Sequence, residues 1–427
     1  MLKLGCIADD FSAARDLANS LVTAGMRVTQ TLGVPRTPLD LLADAAVVTL
    51  KSRYSRPGDA VVRALDALMW LKTQGAKHFY FCFSPTFDSL FNGNTRGNIG
   101  PVVEALMNAL GADFTVVVPA FPDHGIALLK GHLFVNGALL SESAMASHPR
   151  TPMTNSNLLR VLQAQTTHQV ALIDHLAVNA SSVEVQERMV KLRLSELRVA
   201  LIDAATNDDL MRVGRAVKSL TLATGSAGLG LALPQNFDIA PSAAASHLPR
   251  PKGRRAVLCG SCTETSNRQV QHFHAAGHPA MALDPLKVSK FGADKVAQAA
   301  LAWATPLLAK GPVLLYSTAD EASKEAVKNL LGVNNAGLLI EQCMAHIARG
   351  MVALGVRQLV MGGTDTGVAC LRGIGLRQLQ IGPQIEPGVP WSYSPLTVDD
   401  PDGLHLVVKP GALGTDDFFA RAFDWTR

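Results

Sequence analysis

The feature that most constrains this chain is an alternation that runs its whole length: a short apolar stretch, then an amphipathic one, then another apolar stretch. "KLGCIA" is followed by a helical pattern over 12–23 and then by "RVTQTLGV". Further strand-like runs are "AAVVTLKS", "HFYFCFS", "FTVVVPA", "VALID" and "ALIDA", with helical stretches such as "GPVVEALMNALGA" and "VEVQERMVKLRLSELR" among them. Strand and helix in strict rotation predict α/β architecture with mainly parallel sheets, because parallel neighbours need a crossover connection.

A chain of 427 residues exceeds one ordinary core. The rotation breaks in "LPQNFDIAPSAAASHLPRPKGRR", which is rich in Pro, Ala and Ser and has no period. The expected division is a first domain over 1–235, a linker over 236–253 and a second domain over 254–427. After the break the rotation resumes with "AVLCGS", "AMALDP", "PVLLYST", "RQLVMGG" and "LHLVVKPG".

Hydrophobic residues make up 48% of the chain and charged residues 17%, which is a globular and not a disordered composition. The net charge of +4 is mild, and "KGRR" in the linker is the one dense basic run, so no nucleic-acid partner is expected. No secretory pattern opens the chain, and no apolar run approaches the roughly 20 residues that cross a bilayer. Six scattered cysteines form no disulfide framework, and the expected location is cytoplasmic and reducing, with no membrane partner.

Ligands of open parallel sheets bind beyond the carboxyl ends of the strands, so the polar residues there are the site candidates. The first domain offers Asp9 and Asp10, then Lys51, Arg53 and Arg56, then Thr86, Asp88 and Ser89, and finally Asp123 and His124. Charges of both signs on four strand ends predict a pocket for a small, polar, anionic molecule. Asp10 and Asp88 are the candidate proton acceptors, and Asp9, Arg53 and Ser89 the candidate substrate contacts, with Arg53 offering a planar fork to a carboxylate. The competing reading of each aspartate is a helix cap.

In the second domain "LVMGGTDTGVACLRGIG" passes from a strand through a Gly-Gly turn into a helix, and "GSCTETSN" and "KPGALG" are further glycine turns after strands. Glycine lets backbone approach a ligand, and helix N-terminal amides attract phosphate. Neither standard phosphate-loop nor dinucleotide spacing is present. Cys259-Gly-Ser-Cys262 has the spacing of a redox dithiol, which predicts loss of activity in Cys262→Ser, but Cys259 ends a strand pattern. His124, His132 and His148 are too irregularly spaced to be named as metal ligands, and no metal site is assigned.

These motifs, taken in order, resemble the four-carbon acid sugar kinase family, its 3-oxo-tetronate kinase branch in particular. The resemblance runs through "IADDFSAA", "LKSR", "TFDS", "GNIGPVVEAL", "HPRTPMTNSNLLRVLQAQT", "ATGSAGLG", "GSCTETSNRQV", "IGPQIEPGVPW" and "LVVKPGALGTDDFF". It implies two α/β domains with a cleft between them, an N-terminal one for a short sugar acid and a C-terminal one for ATP, with Mg2+ and a homo-oligomer as family expectations. It implies phosphorylation of the acid's terminal hydroxyl. It places ATP contacts on Ser261, Gly362, Gly363, Thr364, Asp365 and Gly411, and acid contacts around Asp10, Arg53 and Asp88. The chain departs from the family pattern at Ala13, Pro85, Leu90, Ile126 and Pro410. Those departures leave two outcomes open: a kinase, or a paralogue that binds nucleotide or a small acid without turnover.

Overall fold

The computed structural model describes residues 2–39, 42–89, 97–148, 151–317, 321–396 and 402–424; Leu90 lies outside them. The chain forms two compact units, Met1–Ser246 and His247–Arg427, and their division falls within the 236–253 stretch.

The strands of the first unit are β1 (Leu4–Ala8), β2 (Val28–Leu32), β3 (Ala45–Thr49), β4 (His78–Cys82), β5 (Thr115–Val118), β6 (Ile126–Leu129), β7 (His132–Val135), β8 (Ala138–Leu139), β9 (Val170–Ile173), β10 (Val199–Ile202) and β11 (Leu222–Gly225). Eight of them form a parallel sheet in the order β2-β3-β1-β4-β11-β5-β10-β9. β1 and β3 are buried at every position, as continuous apolar runs must be when helices cover both sheet faces.

β1 lies between β3 and β4, with Ala8 in register with both Thr49 and Cys82. The chain winds to one side of β1 through β2 and β3 and to the other through β4, so the end of β1 is the point where winding reverses. β11, the last strand of the unit, inserts between β4 and β5. A second, antiparallel sheet β6-β7-β8 stands apart from the parallel one.

The second unit contains β12 (Arg254–Cys259), β13 (Ala280–Ala282), β14 (Val313–Tyr316), β15 (Val356–Gly362), β16 (Gln378–Glu386), β17 (Val389–Ser394) and β18 (Leu404–Lys409). β13-β14-β12-β15-β18 are parallel, and β17 and β16 continue antiparallel. Trp391, Phe273, Phe418, Phe419 and Phe423 are buried in its core. Cys259, Gly362 and Lys409 are in register across β12, β15 and β18, so the three glycine turns leave one sheet edge side by side. Among the described residues no helix is long and apolar enough to cross a membrane.

Candidate active site

Three strand ends of the first unit converge through backbone hydrogen bonds. Asp9 N donates to Cys82 O at 3.0 Å, and Ser52 N and Arg53 N donate to Asp9 O at 2.8 and 3.2 Å. Asn98 ties down the loop that carries Arg53, donating to Ser52 O at 2.8 Å and Ser55 O at 3.0 Å. The turn after β4 holds Phe87 at φ 61, buried against Phe83. Left-handed backbone at a buried aromatic residue is costly, and such strain concentrates at functional sites.

At this convergence Asp10 does two jobs. Its Oδ1 accepts Ala13 N at 2.7 Å and so caps the helix Phe11–Thr23, and its Oδ2 accepts Arg53 Nη1 at 2.8 Å. Arg53 Nη2 donates to Ser84 Oγ at 2.7 Å and to Asp88 Oδ1. Asp88 also accepts from Ser84 Oγ at 2.6 Å and Thr86 Oγ1 at 2.7 Å, while Tyr54 and Thr151 hydroxyls lie 3.4 Å from its second oxygen. The Asp88 side chain is 1% exposed and that of Asp10 24%.

Burial alone pushes the Asp88 carboxyl up, but the Arg53 charge and the Ser84, Thr86 and Arg53 hydrogen bonds outweigh it and hold the group below the usual carboxylate range. Asp9 goes the other way. It is fully buried, and among the described residues its Oδ2 takes only a long contact from Ser84 N at 3.4 Å and its Oδ1 has no partner. Burial, then the Asp10 charge, drive its pKa well above the usual value, against the opposing pull of Arg53. Tyr54 is pushed up to about 12, chiefly by burial.

Both amino groups of Arg53 are engaged by this chain's own carboxylates. One sequence expectation is corrected. The β5 end does not join the cluster, because β11 separates β5 from β4; Asp123 instead accepts Asn207 Nδ2 at 2.8 Å, and His124 stacks on Phe121 with ring centres 3.9 Å apart. Ser89 is buried, and its Oγ accepts Asn98 N at 3.3 Å. Lys51 is exposed, and its carbonyl accepts Arg63 Nη1 at 2.7 Å.

The structure adds Thr151, which sequence reasoning did not single out, and places His148, set aside above as a metal ligand, beside it. Thr151 N and Oγ1 lie 3.2 and 2.9 Å from His148 Nδ1, and Thr151 Oγ1 faces Asp88. Asp203, at the end of β10, accepts Lys130 N at 2.7 Å and Gly131 N at 2.9 Å and so fixes the turn between β6 and β7. Of the departures from family pattern, Ala13 serves through its backbone N–H, Ile126 is a buried β6 residue, and Pro85 lies in the turn beside Ser84.

In the second unit Ser261, Gly362, Gly363, Thr364, Asp365 and Gly411 are brought to one edge. Gly260 N and Ser261 N both donate to Gly362 O, at 3.0 and 3.2 Å, and Gly363 N donates to Lys409 O at 2.8 Å. Gly363 has φ 107 and opens the helix Thr364–Ile374 with no side-chain cap, leaving first-turn amides for an anion. A Cβ at Gly411 would stand 2.2 Å from Ser261 Oγ, and one at Gly363 3.2 Å from Ser261 Cβ. Side chains at these two positions would fill the space where the turns meet. Cys259 and Cys262 are not joined in a disulfide.

A model of a sugar-binding N-terminal domain matches residues 4–233, and a model of a nucleotide-binding C-terminal domain matches residues 256–419. A 3-oxo-tetronate kinase of Burkholderia multivorans is 44% identical over 423 residues, covering 98% of this chain and 96% of its own. One of Cupriavidus necator is 44% identical over 427 residues with the same coverage. The crystal structure of a Haemophilus influenzae protein, 34% identical, superposes with a TM-score of 0.86 over 99% of this chain and 100% of its own. An acidic cluster on the sugar-domain sheet, glycine turns on the nucleotide-domain sheet and full-length relatives agree: the chain belongs to the four-carbon acid sugar kinase family.

Proposed function

We propose that this chain transfers the γ-phosphoryl group of ATP to the terminal hydroxyl of a four-carbon acid sugar, with 3-oxo-tetronate as acceptor and its 4-phosphate as product. One observation carries the reading: the Asp10–Arg53–Asp88 cluster is complete and fixed in place despite the changes around it. An assembled cluster favours turnover over a binding-only paralogue. The full-length 3-oxo-tetronate kinases support the acceptor.

Three carboxylates face one guanidinium here, so the cluster offers acceptors to hydroxyls more than it offers a cation to an acid. Asp10, held by Ala13 N and Arg53 and partly exposed, takes the proton of the terminal hydroxyl as its oxygen bonds to phosphorus and the bond to ADP breaks. Asp88 has its lone pairs filled and acts as the positioning carboxylate behind Arg53. Asp9 and Ser89 support the cluster from below, both being buried.

The crowding at Gly363 and Gly411 fits close backbone approach by phosphates, with Ser261 and the amides of Thr364 and Asp365 as donors. Among the described residues no group of three or more His, Cys, Asp or Glu side chains is placed to hold a metal. Asp365, the carboxylate of the 362–365 turn, would be the residue to meet a Mg2+ bound with the nucleotide, and such an ion would supply charge neutralisation at the phosphates.

Phosphorus NMR of a reaction with Mg·ATP and 3-oxo-tetronate tests the proposal. A new phosphate-monoester resonance coupled to the terminal methylene supports it. Intact ATP beside a thermal shift induced by nucleotide would instead establish the binding-only reading.

A further inference from the structure

Lys409 ends β18 with its side chain wholly buried, where a charge is costly unless its protons find acceptors. Its Nζ donates to the carbonyl oxygens of Pro410 at 2.8 Å, Gly411 at 3.2 Å and Leu413 at 2.8 Å. All three ammonium hydrogens are thus spent on the turn that follows its own strand. The ring centres of Phe418 and Phe419 lie 5.9 and 5.7 Å from the same nitrogen. Burial outweighs the upward pull of Cys259 on β12 and Glu386 on β16 and leaves its pKa lowered to about 8.

The Gly411 carbonyl accepts two more donors, Thr263 Oγ1 at 2.8 Å and Ser266 Oγ at 3.1 Å. Three donors fix the direction of one oxygen. In a planar trans peptide the C=O and N–H point opposite ways. Turning the Pro410 and Gly411 carbonyls toward Lys409 therefore turns the N–H groups of Gly411 and Ala412 away from it. Ala412 is exposed and Gly411 partly so, and among the described residues neither N–H meets a backbone acceptor.

We propose that Lys409 is a positioning residue of the kinase, which holds the 410–413 turn so that the Gly411 and Ala412 N–H groups face the nucleotide's phosphates. The proposal rests on the nucleotide reading above and goes beyond it. Lys409 itself touches no phosphate; it acts through the backbone it orients.

The test is calorimetric titration of Mg·ATP and of adenosine into the full-length wild type, Lys409→Met and Thr263→Val, with thermal melting to establish folding. Lys409→Met is expected to weaken Mg·ATP by about tenfold or more, the size of one or two lost charge-assisted hydrogen bonds, and to leave adenosine unchanged. Thr263→Val keeps the lysine, removes a donor to the same carbonyl and is expected to weaken Mg·ATP a few-fold. A partly misfolded sample lowers the number of sites and not the affinity. Should Lys409→Met not fold, Thr263→Val decides alone: wild-type affinity for Mg·ATP in that variant overturns the proposal. A folded Lys409→Met with wild-type affinity overturns it equally. Wild type that binds neither Mg·ATP nor adenosine overturns the nucleotide reading itself, a distinct outcome.

Discussion

Arg53 Nη1 and Asp10 Oδ2 stand 2.8 Å apart, and the other oxygen of that carboxylate caps the helix Phe11–Thr23. A group that is at once a helix cap and half of an ion pair has its direction fixed from two sides. What remains open is the exposed edge of Asp10, the edge to which the proposed reaction assigns the acceptor hydroxyl.

Asp10→Asn keeps a competent cap and removes the proton acceptor. We expect kcat to fall by about 10²–10⁴-fold, with the melting temperature nearly unchanged. Asp10→Ala loses the cap as well and should cost about 1 kcal/mol of stability in addition. Steady-state kinetics and melting curves on the two variants separate the roles, and unaltered kcat in Asp10→Asn would move the proton acceptor elsewhere.

Arg53→Met leaves the buried Asp88 charge without its counter-ion. Breaking a buried pair by removing one partner costs about 3–5 kcal/mol, so denaturant unfolding should show a large loss for this variant. Arg53→Lys keeps the charge but cannot span Asp10 and Asp88 with a planar fork, and should retain stability better than activity.

Asp88 and Asp9 make opposite pH signatures. Unfolded aspartates titrate near about 3.9. Asp88 is held lower in the fold, so the stability it contributes is present above that value and lost as pH falls through its folded pKa. Asp9 is held higher, so its contribution is present in acid and lost as pH rises toward its folded pKa. Asp9→Asn should therefore gain in melting temperature relative to wild type as pH rises from about 4 to neutrality, while Asp88→Asn should stand below wild type above about pH 4 and close the gap only as pH falls further. Parallel trends in the two variants would contradict the assignment.

Much of this was legible in the residues. A continuous apolar run ending on Asp-Asp before a helical pattern located the β1 end, and the glycine turns located the strand ends that lie side by side in the second unit. The three-stranded antiparallel sheet was only half legible. Asn136-Gly137, with φ 51 and 84, is the hairpin dipeptide its type I′ turn requires, but Lys130 at φ 51 in the other turn carries no such signal. The site's contents depended on strand order, which no local pattern encodes. β11 comes last in the first unit yet separates β4 from β5, removing Asp123 and His124 from the cluster. Thr151 reaches Asp88 from a segment distant in sequence, and Lys409 looks like an ordinary strand-end lysine until its three carbonyl partners are seen.

Gly411→Ala places a methyl 2.2 Å from Ser261 Oγ. The turn must shift, and KM for ATP should rise by about tenfold or more if an amide contact to phosphate is lost, with KM for the acid unchanged. Adding Ser261→Ala removes the closest contact but leaves Thr263 Cγ2 at 2.9 Å from the methyl and removes a proposed phosphate donor, so recovery should be partial. Wild-type KM in Gly411→Ala would show that the turn lies away from the nucleotide.

The most direct measurement is the rate of ADP release from Mg·ATP by wild type and Asp10→Asn, with and without 3-oxo-tetronate and stereoisomeric tetronates. The account predicts rapid release only when one of these acids is present, and its loss in Asp10→Asn. Release at one rate with or without any acid, or equal rates in the two proteins, would contradict it.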